Sequence, residues 1–143
     1  MEQVARRIED CCLSGTPLRL FAMTLLAELP KYDWCGVYRL EGEVLVLDEF
    51  VGDPTEHRMI SVGHGVCGTA VAENRNLIVA DVHAVQNYLC CSIDTKSEIV
   101  VLIRSGELVL GQIDVDSHTR DAFGTSDEAL LERIAAVLAQ KWV

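Results

Sequence analysis

From Val4 onward the apolar positions recur at helical spacing, with Val4, Ile8, Cys11 and Cys12 on one side of a first predicted helix. Thr16-Pro17 then offers an N-cap and a first-turn proline for a second helix, which Pro30 ends. At Asp33 the period changes to two. Trp34, Gly36, Tyr38 and Leu40 share one face of a strand, Glu41-Gly42 makes a turn, and Val44 to Phe50 runs back as a second strand. A short strand over His57 to Val62, a glycine-rich turn, a helix from about Cys67 to Asn74 and a strand over Leu77 to Ala80 follow. After an irregular stretch from Asp81 to Asp94, Ser97 to Ile103 and Leu108 to Asp116 form another hairpin. Thr125-Ser126-Asp127-Glu128 has the capping-box pattern and opens a last helix with an apolar stripe of Leu130, Ile134, Val137 and Leu138.

The predicted order is α-α-β-β-β-α-β-β-β-α, in which turns rather than crossover helices join most consecutive strands. That order predicts an α+β protein with an antiparallel sheet, and 143 residues predict one domain over 1–143. Charge narrows the function classes. Twelve Lys and Arg against 22 Asp and Glu leave a net charge of −10, and no basic cluster offsets it, which argues against nucleic acid and anionic membrane as partners. The longest apolar candidate for a membrane span, Leu18 to Leu29, is interrupted by Arg19 and Glu28. Met1-Glu2-Gln3 leads directly into a charged amphipathic pattern, so a cytoplasmic location is expected.

In a reducing compartment the six cysteines are read as core residues, catalysts or ligands rather than structural disulfides. Without a C-x-x-C pair, and without ligand spacing among His57, His64, His83 and His118, no metal or cofactor is predicted. Gly63-His64-Gly65-Val66-Cys67-Gly68 spells G-x-G-x-x-G, but a dinucleotide site needs parallel strands with crossover helices, which the later hairpin excludes. The glycines are read as a turn leading into a helix N-terminus, where Cys67 would sit in a field that favours thiolate. Cys91 falls in the irregular stretch among polar neighbours, whereas Cys11, Cys12 and Cys35 lie on apolar patterns. Asp114 and Asp116 alternate on one strand face, either as part of a site or as an exposed strand end that caps the turn at Ser117. A two-residue turn at Ser105-Gly106 would pair Glu98 with Ile113 and point it to the opposite face, so convergence of the three carboxyls requires a bulge or a three-residue loop.

Asp33-Trp34-Cys35-Gly36-Val37-Tyr38, Gly63 to Ala70, Asp81-Val82-His83, Ser97-Glu98-Ile99-Val100 and Asp114-Val115-Asp116-Ser117 together resemble the free methionine-(R)-sulfoxide reductases. The resemblance implies a GAF fold, a central antiparallel sheet of about six strands with helices packed on one side. It implies a cytoplasmic enzyme, often a homodimer, that reduces the free amino acid's sulfoxide through a cysteine sulfenic acid and a disulfide and is recycled by thioredoxin. By this resemblance Cys91 is the nucleophile and Cys67 a resolving cysteine. Glu98, Asp114 and Asp116 hold the substrate's ammonium and sulfoxide groups, and Trp34 forms the aromatic wall near its methyl. On that match Glu98 belongs on the face of the two aspartates, against the local turn reading. The chain departs from the family at His57, which replaces a further cysteine, at Ser92, at Leu102 and through Val85 to Leu89. The alternative function is a GAF module that binds a small ligand without turnover.

Overall fold

The computed structural model describes residues 1–85, 88 and 93–143. Its helices are α1 (Glu2–Glu9), α2 (Gly15–Leu26), α3 (Gly65–Glu73) and α4 (Thr125–Gln140). Its strands are β1 (Trp34–Glu41), β2 (Val44–Val51), β3 (Met59–Ser61), β4 (Leu77–Val79), β5 (Ser97–Ser105) and β6 (Leu108–Ser117). The six strands form one sheet in the order β3-β2-β1-β6-β5-β4, and every neighbouring pair is antiparallel. The α+β architecture expected from the sequence is therefore present.

Helix boundaries differ from the sequence pattern where the chain has to turn. Helix α1 ends at Glu9, so Cys11 and Cys12 lie beyond it rather than on its apolar side. Helix α2 starts at Gly15 with extended Ser14 as N-cap, and Thr16 is already inside it. The Thr16 hydroxyl accepts from Arg19 Nη2 at 2.9 Å instead of capping. At α4 the capping bond comes one residue early: the Gly124 N–H donates to Asp127 Oδ2 at 2.9 Å.

Strand β5 explains how the helices divide between the two faces. Ile99, Val101 and Ile103 join Cys35, Val37, Ile113 and Val115 under α1, α2 and α4, in the larger apolar cluster. Val100 and Leu102 point the other way and meet Trp34, Tyr38 and Leu45 with Val66, Cys67 and Ala70 of α3. Because both faces of β5 are apolar, both need cover. Three helices lie on one side as expected, while α3 covers the other.

A buried ionic group ties the chain's C-terminal end to this frame. Asp48, the unpaired residue of a bulge in β2, accepts from Arg19 and Arg39. Arg19 also donates to the Trp142 carbonyl at 2.6 Å and lies 4.3 Å from the Trp142 ring centroid.

Candidate active site

The β5-β6 hairpin decides which face carries Glu98. Its turn is Gly106-Glu107, because Ser105 pairs with Leu108. Moving the turn by one residue from Ser105-Gly106 would still have left Glu98 opposite Val115, facing the three helices. The register changes once more: Arg104 pairs with Val109 but Ile103 pairs with Gly111, so Leu110 is an extra residue. Beyond this bulge Glu98 stands opposite Asp116, and Val100 opposite Asp114. On the other side of β6, Trp34 of β1 stands opposite Asp116 and Gly36 opposite Asp114. Residues paired across antiparallel strands share a face. Glu98, Asp114, Asp116 and Trp34 therefore converge on the side covered by α3.

The glycine-rich turn brings α3 close to this surface. A Cβ at Gly68 would lie 2.5 Å from the Ser61 carbonyl oxygen, so only glycine admits this approach of helix and strand. Buried Gln112 adds a tie that the motifs did not single out, donating from Nε2 to the Cys67 carbonyl at 3.0 Å. The alternation that puts Gln112 on the aspartate face was its available signal. The result is a Cys67 Sγ 3.9 Å from Glu98 Oε2.

The carboxyls are removed from water: Glu98 is 3% exposed, Asp114 0% and Asp116 1%, with Cys67 at 5%. Among the described residues no N–H reaches Glu98 Oε1 or either carboxylate oxygen of Asp114. Burial, followed by the negative charges of Asp114 and Asp116, pushes Glu98 well above the ordinary carboxyl range. Burial also raises Asp114, opposed by hydrogen bonding with Glu98 and Cys67. These directions favour the protonated form most strongly at Glu98. The arrangement holds an acid beside carboxylates that attract a cation.

The Trp34 indole forms a flat side of the site. It stacks on Phe50 with centroids 5.7 Å apart and planes 17° apart, and Nε1 donates to the Asp53 carbonyl at 2.9 Å. Two glycines make room for it, since a Cβ at Gly36 or Gly52 would lie 2.3 or 2.6 Å from its ring. Cys35, by contrast, points into the larger cluster, where burial raises its thiol pKa. Cys91, the expected nucleophile, and neighbouring Cys90 lie outside the described residues.

The GAF domain family matches residues 22–142. The chain belongs to the GAF-domain family. This GAF domain is 38% identical over 114 residues to the free methionine-R-sulfoxide reductase of Escherichia coli, covering 80% of this chain and 68% of that one. A type II free methionine-R-sulfoxide reductase from Thermoplasma acidophilum superposes with a TM-score of 0.85 at 37% identity, over 97% of this chain and 94% of that one. The fRMsr of Staphylococcus aureus, solved in complex with substrate, gives 0.86 at 36% identity, over 99% and 92%. Among the described residues, no helix of this GAF domain is long and apolar enough to cross a membrane.

Proposed function

We propose that this GAF domain reduces free methionine-(R)-sulfoxide to methionine in the cytoplasm, with thioredoxin as the reductant. The reading is carried by the buried carboxyl group of Glu98, Asp114 and Asp116 beside the Cys67 thiol and Trp34, and by kinship with reductases of that substrate. Asp114 and Asp116 attract the substrate's ammonium, and Trp34 packs against its methyl. Cys91 attacks the sulfoxide sulfur as a thiolate while Glu98 gives its proton to the sulfoxide oxygen. The S–O bond and the transient S–S bond then break as the hydroxyl passes to the Cys91 sulfur, methionine leaves as the two-electron-reduced sulfide, and Cys91 is left as a sulfenic acid. Cys67 then displaces that hydroxyl as water and forms a disulfide, which the thioredoxin dithiol reduces.

The deciding assay follows NADPH consumption with thioredoxin, thioredoxin reductase and free methionine-(R)-sulfoxide. Turnover is expected in the wild type and none in Cys91→Ser, whose hydroxyl is scarcely ionised at neutral pH. Cys67→Ser should complete one turnover and stall as a sulfenic acid until an external thiol is added. Binding of the sulfoxide by wild type without turnover would replace this reading with that of a ligand-binding GAF module.

A further inference from the structure

Three donor atoms from three separate elements meet on the site face. The Cys67 Sγ from α3, a Glu98 oxygen from β5 and an Asp114 oxygen from β6 all lie within 4.8 Å of one another. Asp114 is fully buried, yet neither of its oxygens receives an N–H from the described residues. A carboxylate held this way is costly unless something positive completes its surroundings. The requirement is independent of the clustering itself, because it comes from a fully buried carboxylate aimed into the cluster that no N–H or cationic group among the described residues reaches.

We propose that Cys67, Glu98 and Asp114 form a binding site for a zinc-type divalent cation. The donor set selects the metal. Magnesium and calcium favour all-oxygen shells of six or more ligands, whereas one thiolate with two carboxylates suits a borderline-soft, four-coordinate ion that keeps one position open. The geometry is close to what such an ion needs. Bond lengths of roughly 2.3 Å to sulfur and 2.0 Å to oxygen in a tetrahedron put sulfur and oxygen about 3.5 Å apart, and Cys67 Sγ is 3.9 Å from Glu98 Oε2. Closing that pair by a few tenths of an ångström, drawing in the Asp114 oxygen that lies within 4.8 Å of both, and losing the thiol and Glu98 protons completes the three-ligand set. The ion would occupy the place of a cationic substrate, so micromolar zinc should inhibit reduction. That inhibition rests on the reductase reading, whereas the binding does not.

Sequence spacing gave no sign of this set because its members come from distant parts of the chain. Cobalt(II) is a suitable probe, since thiolate ligation gives it a near-ultraviolet charge-transfer band. The reduced full chain is expected to develop that band up to one equivalent and to lose it when zinc is added. Cys67→Ser should abolish the band, and Asp114→Asn should weaken binding by about tenfold or more, while Cys12→Ser should change neither. X-ray absorption at the zinc edge of the wild type, which needs no variant, should show one sulfur with oxygen neighbours. Absence of the band in wild type, an undiminished band in Cys67→Ser, or an all-sulfur zinc shell would overturn the site. Binding as expected in a protein that never reduces the sulfoxide would leave the site standing and remove the reductase reading.

Discussion

Glu98 concentrates the chemistry of the site in one ionisation. Its pKa is raised by burial first and by the two aspartates second, so the folded state holds a proton that the unfolded chain releases near pH 4.3. Stability linked to Glu98 is therefore complete below that unfolded pKa and is lost as pH rises toward the folded one. Glu98→Gln should be more stable than wild type at pH 7.5 by on the order of 1–3 kcal/mol. In urea unfolding the difference should fade at pH 4. The same variant should lose roughly 10²–10⁴-fold in kcat if Glu98 donates the proton. Equal stability of the two proteins at both pH values would contradict the buried-acid account. Gly36 offers a second residue-scale test, because a methyl there meets the Trp34 ring at 2.3 Å. Gly36→Ala should cost about 1–3 kcal/mol and displace the indole, seen as a change in near-ultraviolet circular dichroism. Sequence showed that Gly36 and Trp34 share a face; it could not show that the ring folds back over the glycine.

At the scale of elements, all six strands were legible as period-two or short apolar runs bounded by turn residues, whereas the cover that β5 needs on both faces was not drawn from its apolar run. The side taken by α3 was not legible. Its sequence, Gly65 to Glu73, is short and rich in small residues, with no polar face to orient it. The hairpin was half legible. Gly106 has φ +63°, and a glycine of that kind serves at either central position of a tight turn, so the turn was placed one residue early. Nothing in the sequence marks Leu110 as supernumerary. Register is instead set by the apolar set that must face the larger cluster, Ile99, Val101 and Ile103 against Ile113 and Val115. Deleting Leu110 should therefore leave Glu98 opposite Asp116 in a regular hairpin, at a cost of about 1 kcal/mol for its partly buried side chain. Cross-strand Hα contacts between Glu98 and Asp116 in NMR spectra would check this. Their loss would show that the bulge itself holds the register.

The whole molecule is clamped on its helical side by charge as well as by packing. Arg133 of α4 donates to Glu2 at 2.8 Å and to both carboxylate oxygens of Glu9, at 2.7 and 2.6 Å. The Arg133 guanidinium, with help from Arg6, lowers Glu2 to about 2. A lowered carboxyl contributes above its unfolded pKa and loses that contribution as pH falls from the ordinary range toward about 2. The pair is exposed, so salt screens it. Arg133→Gln should thus speed hydrogen exchange over Glu2 to Glu9, most clearly at low salt, without altering the carboxyl site on the other face. No exchange difference would show that apolar packing alone holds α1.

Among the described residues, the opposite side of the sheet is a layer roofed by nine-residue α3, with Tyr88 packed against the same apolar cluster, and bordered by the three-residue edge strands β3 and β4. Layers of that kind open before the rest of a domain does. In the closed form Cys67 is too enclosed for a macromolecular dithiol to meet it. Recycling of the proposed disulfide by a protein donor that attacks the Cys67 sulfur would then proceed at the pace at which this roof lifts. Raising solvent viscosity should slow it, while a small dithiol diffusing into the closed form should escape most of that drag.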